Sequence, residues 1–89
     1  MFLAKVVGTV VSTSKDERLV GCKLLLTQRI TPEGAPIGEP DVSIDNVGAG
    51  NGEIVLVATG SAARLASGRA EGPIDATIVG IVDVVEAVR

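Results

Sequence analysis

The chain has 89 residues and a formal net charge of −3; 46% of its residues are hydrophobic, yet Phe2 is the only aromatic one. An acidic chain with one aromatic ring lacks the basic, stacking groove that binds single-stranded nucleic acid, and an anionic membrane surface would repel it. A chain this short buries only about two-thirds of its surface, so the apolar excess predicts exposed area of the kind found in oligomer interfaces.

Membrane insertion, secretion and disulfide crosslinking are also disfavoured. No stretch approaches the ~20 apolar residues of a membrane span. Residues 1–11 carry Lys5 in their middle and have no cleavage signal after a basic start, which is unlike a signal peptide. The single cysteine, Cys22, cannot form an intramolecular disulfide, which is consistent with a reducing cytoplasm.

The first half of the chain predicts three strands. Residues 2–13 form the first, with small or apolar residues at the even positions and Gly8 as a bend in mid-strand. Residues 21–30 form the second. Its predicted apolar face carries Cys22, Leu24, Leu26 and Ile30, and its polar face carries Lys23, Thr27 and Arg29. Residues 31–40 are too rich in Pro and Gly for a regular element. A short strand follows, with Val42 and Ile44 directed inward.

The second half predicts two strands and one helix. A buried strand begins near residue 53, and a helix of two turns follows, with Ser61 as its N-cap and Gly68 as its stop. Residues 74–88 form the last strand, apolar on both faces over most of its length and bent at Gly80. Five strands, one short helix and glycine bends predict a mainly β fold: one domain over residues 1–89, built as a small OB-like closed barrel.

The glycine run "VGAGNGE", residues 47–53, has the composition of a phosphate-binding loop but not its pattern. A dinucleotide loop needs a third spaced glycine where Glu53 stands, and a helix where a strand is predicted here. A P-loop needs a Gly-Lys pair, which the sequence lacks. The run therefore predicts a tight turn between strands in which glycines occupy positive-φ positions.

No catalytic, metal or cofactor site can be assembled from the remaining residues, so an enzyme is not expected. The chain has no His, Tyr or Trp, and Cys22 has no base to activate it, so it is expected to be a buried small hydrophobe. Asp41, Asp45 and Glu53 lack the spacing of a calcium loop, and zinc ligands are missing. "GSAAR", residues 60–64, could hold an anion with Ser61 and Arg64, although capping and a salt bridge explain the same residues.

Four segments together resemble the CcmL/EutN family, the pentameric vertex proteins of carboxysomes and other bacterial microcompartments. These segments are the opening "AKVVGTVVSTSK", the run "IDNVGAG", "GSAAR" and the closing "PIDATIVGIVD". The resemblance extends along essentially the whole chain. It implies an OB-like barrel, a homopentamer that caps the vertices of a polyhedral shell in the bacterial cytoplasm, hexameric shell proteins as partners, and no cofactor.

Matched to the family by position, three groups of residues are expected to serve structure and assembly. They are the central turn (Asp45, Gly48, Gly50, Gly52 and Glu53), the short helix (Ser61, Ala62, Ala63 and Arg64) and the closing strand (Asp75, Gly80 and Asp83). Residues 31–41 carry no signature of a subtype, so the encapsulated pathway stays open. The alternative from another class is an OB-type oligomeric module that binds a small anion or an oligosaccharide.

Overall fold

A closed five-stranded barrel organises the chain. The structure is a computed structural model, and it describes residues 1–13, 15–69 and 72–88. The elements are β1 (Phe2–Val10), β2 (Lys23–Arg29), β3 (Asp41–Asp45), β4 (Ile54–Thr59), α1 (Gly60–Ser67) and β5 (Ala76–Ile81), with a 3-10 turn at Glu17–Leu19. The strand order is β1-β2-β3-β5-β4, and β4 pairs with β1 to close the barrel. The predicted OB-like barrel with one short helix is confirmed.

Strand pairing is antiparallel except between β3 and β5, which run parallel and pair Ile44 with Thr77 and Asp45 with Ile78. The register of β1 against β2 slips between Val6 and Gly8, where the sequence predicts a bend. A second slip lies in the β4–β5 pair, next to Gly80. Such irregularities increase the local bend and twist of a strand, which a sheet of five short strands needs in order to close.

Two apolar clusters hold the barrel together. The larger one is the barrel interior, and its members are Ala4, Val6, Leu25, Ala49, Val55, Val57, Ala76 and Ile78. The smaller one consists of Ile44, Ala63 and Ile74, with Leu19, Cys22 and Leu24 packed against it. Because Ala63 belongs to α1, this second cluster attaches the helix to the outside of the barrel wall. Cys22 is only half-buried, so its predicted apolar packing is correct but its full burial is not.

The interior face of β2 is the face that the sequence predicts to be polar. Leu25 and Thr27 are 2% and 0% exposed, whereas Leu24 and Leu26 are only half-buried. Thr27 tolerates burial because its hydroxyl oxygen lies 2.7 Å from that of Ser43, which is itself buried on β3. A hydrogen-bonded pair of hydroxyls removes most of the cost of placing either in an apolar interior.

The third strand differs from expectation for the same reason. Ser43 points into the barrel, so its neighbours Val42 and Ile44 point away from it. Ile44 is nevertheless buried in the cluster under the helix, whereas Val42 is exposed. The prediction that Val42 is directed inward is therefore wrong.

The first and last strands of the chain, β1 and β5, are shorter than predicted. β1 ends at Val10 rather than at residue 13, and β5 ends at Ile81 rather than near residue 88. The last bond in line with β5 runs from the Val82 N–H to the carbonyl of Ile54, the first residue of β4. Beyond that point β4 offers no further backbone to pair with, so residues 83–88 continue without regular structure. Residues 31–40 contain one isolated bridge, from Ile30 to Pro36, and no helix or strand, as predicted.

Candidate functional site

The glycine turn between β3 and β4, residues 46–53, is the loop that the sequence singles out by its three alternating glycines. Gly48 and Gly52 have φ angles of +81° and +85°, which other residues adopt only under strain. Gly50 has no positive φ angle. The prediction that the run contains positive-φ positions is thus confirmed at two of the three glycines. Ala49, between them, is fully buried and closes this end of the barrel interior.

Two carboxylates hold the turn in shape. Asp45 accepts hydrogen bonds from three consecutive backbone N–H groups, those of Val47 (3.1 Å), Gly48 (3.2 Å) and Ala49 (3.0 Å). Glu53 accepts a fourth from Gly50 at 2.6 Å. The amides of residues 47–50, which a phosphate would need, are all directed at the chain's own carboxylates. The turn is therefore already filled by internal anions, and it is unsuited to a phosphate.

Lys23 completes this arrangement from the neighbouring strand. Its ammonium group donates to the Ala49 carbonyl at 3.0 Å and lies 3.6 Å from an oxygen of Asp45. The Asp45 side chain is almost fully buried, whereas that of Lys23 is half-exposed. Sequence analysis placed Lys23 on a polar strand face without a role. The feature that indicates its role is its position at the start of β2, directly opposite Asp45 in the β2–β3 pair.

The helix residues lie at the other end of the barrel. Ser61 is exposed in the first turn of α1, and Arg64 is half-buried one turn later. The N-cap position belongs to Thr59, whose side chain makes no capping bond, so the assignment of Ser61 as N-cap is wrong. The reason is that the helix begins at Gly60, whose N–H donates to the Asp75 carbonyl instead. Gly68 ends the helix in the left-handed conformation, as predicted.

The predicted residues therefore fall into two groups at opposite ends of β4. Asp45, Gly48, Gly50, Gly52 and Glu53 form one cluster where β4 begins, and Gly80 pairs with Leu56 near that end. Asp83 is exposed just past β5, on the same side. Ser61, Ala62, Ala63 and Arg64 lie where β4 ends, and Asp75 is exposed beside them, joined by the Gly60 bond. Among the described residues, no hydrogen bond or ion pair joins a member of one group directly to a member of the other, although the Asn46 side chain of the turn donates to the Ala66 carbonyl of α1 at 2.7 Å.

Many large hydrophobic side chains are exposed on the described part of the chain. Large hydrophobic side chains that are exposed include Met1, Val7, Val11, Val20, Leu65, Val84 and Val88. The Arg29 guanidinium stacks over the ring of Phe2, 4.8 Å from its centre, and so covers one face of the only aromatic ring in the sequence.

Within residues 1–13, 15–69 and 72–88, no three acidic or cysteine side chains converge as a metal site would require. No helix in those ranges is long and apolar enough to span a membrane.

Comparison with protein families gives one match over most of the chain. Residues 1–83 match the family model described as ethanolamine utilisation protein EutN/carboxysome. The microcompartment shell vertex protein GrpN of Rhodospirillum rubrum is 57% identical over 89 residues, which is the full length of both chains. The carboxysome shell vertex protein CcmL of Synechocystis is 55% identical over 85 residues, covering 96% of this chain and 85% of that protein.

Comparison with solved structures agrees. The structure described as the GrpN pentameric microcompartment shell protein from Rhodospirillum rubrum superposes with a TM-score of 0.90 at 56% identity. The superposition covers 99% of this chain and all of the other. The names of these relatives describe a structural protein of a shell rather than a catalyst.

Proposed function

Because the chain belongs to the EutN/CcmL family, we propose that it is a non-enzymatic shell protein that forms pentamers and caps the vertices of a bacterial microcompartment. The observation that carries this conclusion is the 57% identity, without truncation on either side, to a protein named as a shell vertex protein. The proposed location is the microcompartment shell within the bacterial cytoplasm. Residues 1–89 would act as one vertex domain.

The exposed apolar side chains support the ring. A barrel of 9.0 kDa that leaves Val7, Val11, Val84 and Val88 in water exposes more apolar surface than a stable monomer would. A contact between two different patches of the same chain, repeated by rotation, closes into a ring. Five copies at −3 each give a formal charge of −15, which keeps the assembled ring soluble while its contacts are apolar.

The proposed partners are hexameric shell proteins. A flat sheet of six-fold units cannot enclose a volume, and five-fold units at its corners provide the curvature that closes it. The resemblance to carboxysome and ethanolamine-utilisation proteins supports such partners without identifying them.

We assign the family-matched residues to shaping and assembling this ring. Those of the turn fix the β3–β4 connection, and the exposed ones, Ser61, Asp75 and Asp83, are available to neighbouring subunits. The complete set is Asp45, Gly48, Gly50, Gly52, Glu53, Ser61, Arg64, Asp75, Gly80 and Asp83. In-chain bonds support the role of Asp45 and Glu53 in the turn. Contacts between subunits are the proposed role of Ser61, Arg64, Asp75 and Asp83.

Two measurements test the proposal. Native mass spectrometry of the purified protein is expected to show a species of five chains, about 45 kDa from the 9.0 kDa of one chain. In a host whose own vertex gene is deleted, expression of this chain together with the hexameric shell proteins of its own genome is expected to restore closed polyhedral shells in electron micrographs. A monomer at micromolar concentration, or shells that stay open and elongated, would contradict the proposal.

A further inference from the structure

The C-terminal tail, residues 82–88, is an apolar segment that leaves the barrel after one hydrogen bond, from the Val82 N–H to the Ile54 carbonyl. It contains Val84, Val85 and Val88, all exposed, together with the carboxylates of Asp83 and Glu86. After the bond from Val82 to Ile54, no hydrogen bond involves residues 83–88 within the described part of the chain. β-Branched residues at this density are typical of a strand, and a strand without a neighbour is unstable in water.

A free strand edge lies on the same chain. On the side of β4, β1 pairs from Phe2 to Lys5 and makes two further bonds from Val6, to Glu53 and Gly52. From Gly8 to Val10 it pairs with β2 alone, and Val7 lies at the register slip without a partner residue in either pairing. The backbone of β1 is therefore open on one side over its last four residues, as far as the described residues show. Open edges of this kind are normally covered, because they recruit other strands.

The tail does not cover this edge within its own chain. β5 and β1 both neighbour β4 and lie on opposite sides of it. Where β4 begins, they are therefore roughly 9–10 Å apart, about twice the distance that backbone hydrogen bonding between strands requires. The tail and the β1 edge therefore suit each other chemically but cannot pair within one chain. A contact between two copies of the chain would bring them together.

Charge also favours this pairing. The tail carries Asp83 and Glu86, and no ion pair involves either of them within the described residues. The side of β1 that faces solvent carries Lys5, which likewise has no acidic partner there, and Lys15 follows the strand. Opposite charges on the two segments favour their encounter and disfavour pairing of tail with tail.

We propose that the tail of each subunit adds as a strand to the free edge of β1, residues Val7–Val10, on the neighbouring copy. This inference rests on the proposed ring and names the contact that closes it. Each subunit gives a tail on one side and receives one on the other, so the contact is heterologous and repeats around the ring. The backbone supplies the hydrogen bonds, and the valines bury apolar surface against the neighbour.

Crosslinking between chains tests which segments meet. In a Cys22→Ala background, Val7→Cys would be co-expressed with Val84→Cys and, separately, with Val85→Cys, so that both sides of the tail are sampled. Mild oxidation is expected to give a disulfide-linked dimer with at least one tail variant, because paired strands bring Cβ atoms within disulfide range. The matched control is Leu65→Cys in place of the tail cysteine, since Leu65 and Val84 are 75% and 72% exposed.

Amide hydrogen exchange of the unmodified protein gives a test that does not depend on register. In the assembled ring, the tail amides are expected to exchange at least about tenfold more slowly than those of an isolated peptide of residues 80–89. Val84→Ser with Val88→Ser is expected to raise the concentration at which the ring dissociates at least about tenfold. Val20→Ser with Leu65→Ser removes two exposed hydrophobic side chains elsewhere and is expected to leave that concentration unchanged.

The outcomes separate this inference from the function on which it rests. A wild-type monomer in native mass spectrometry would overturn the ring itself. An intact ring whose tail amides exchange freely would overturn only the strand pairing. Protected tail amides without a crosslink from Val7 to either tail position would show that the tail binds elsewhere and would equally overturn the assignment to β1.

Discussion

Lys23 and Asp45 face each other across the β2–β3 pair and together fix the start of the glycine turn. The Lys23 ammonium lies 3.6 Å from the Asp45 carboxylate and donates to the Ala49 carbonyl on the far side of the turn. The carboxylate in turn accepts three backbone N–H groups. The almost fully buried Asp45 carboxylate thus links the end of β3 both to Lys23 on the neighbouring strand and to the backbone of the turn.

Asp45→Asn is expected to lower the free energy of unfolding by about 2–3 kcal/mol. The amide keeps one oxygen but places an N–H₂ group where three backbone donors converge, and buried donors without acceptors are costly. Urea unfolding at a fixed protein concentration measures the change, because assembly makes apparent stability depend on concentration. Asp41→Asn is the control: Asp41 is exposed on the same strand, so a change within about 0.5 kcal/mol is expected. Equal losses at both positions would contradict the role given to Asp45.

The glycines of the turn are not equivalent, and alanine substitution should separate them. At Gly48 and Gly52 the backbone is left-handed, so alanine is expected to cost about 1–2 kcal/mol at each. At Gly50 an added Cβ would lie 3.3 Å from a Glu53 oxygen without backbone strain, and a cost under about 1 kcal/mol is expected. Denaturant midpoints of the three variants give the order. A larger loss at Gly50 than at Gly48 and Gly52 would refute it.

The buried hydroxyl pair of Thr27 and Ser43 should behave as a coupled unit. Thr27→Val leaves the Ser43 hydroxyl without its 2.7 Å partner and is expected to cost roughly 1–3 kcal/mol. The double variant with Ser43→Ala removes both polar groups, so its cost is expected to be smaller than the sum of the two single losses. A double-mutant cycle in urea measures the coupling. Strict additivity would mean that the two hydroxyls do not interact.

Cys22→Ala is expected to leave the oligomeric state unchanged and to cost about 1 kcal/mol or less, because the thiol is only half-buried against Ile44, Ala63 and Ile74. Analytical ultracentrifugation and thermal unfolding of the variant check both statements. A change of oligomeric state would show that the thiol lies in a contact between subunits. The same variant supplies the background for the crosslinking experiments.

The pKa of Asp16 should report on the 3-10 turn after β1. Hydrogen bonds from the Arg18 side chain and backbone lower this pKa from 3.8 to about 2. Because the folded pKa is depressed, the stability that these bonds contribute is present above pH 3.8 and is lost as the pH falls towards 2. Carboxyl chemical shifts in an NMR titration measure the pKa, and Arg18→Gln is expected to raise it. A pKa near 3.8 in the unmodified protein would contradict the contact.

The sequence predicts the barrel, the helix and the architectural nature of the turn, because each depends on local signals. Glycine spacing and apolar runs delimit the strands, and the absence of a Gly-Lys pair excludes a P-loop. The faces of β2 and β3 could not be assigned in this way. Thr27 and Ser43 are polar, and hydrogen bonds to residues distant in the chain make the interior available to them: the two hydroxyls bond to each other across 16 positions, and that of Thr27 also donates to the Asp41 carbonyl.

Two further differences have the same origin in tertiary context. The valines of the tail have the pattern of a strand, but a strand ends where its neighbour ends, and Ile54 begins β4 at that point. Ser61 has the chemistry of an N-cap, but Gly60 bonds to Asp75 and the N-cap position falls two residues earlier, at Thr59. The role of Lys23 also depends on tertiary context, because its partners are Asp45 on the neighbouring strand and the Ala49 carbonyl in the turn.

The strand order has a consequence for synthesis. β5, the last strand to leave the ribosome, is inserted between β3 and β4, so the earlier strands can form only an open sheet in the order β4-β1-β2-β3. Such a sheet has two unpaired borders and an uncovered apolar interior until Ile81 has been made, and these are the features that lead nascent chains to aggregate. Because the folded chain associates with copies of itself, association is most damaging if it occurs before β5 has been synthesised and inserted.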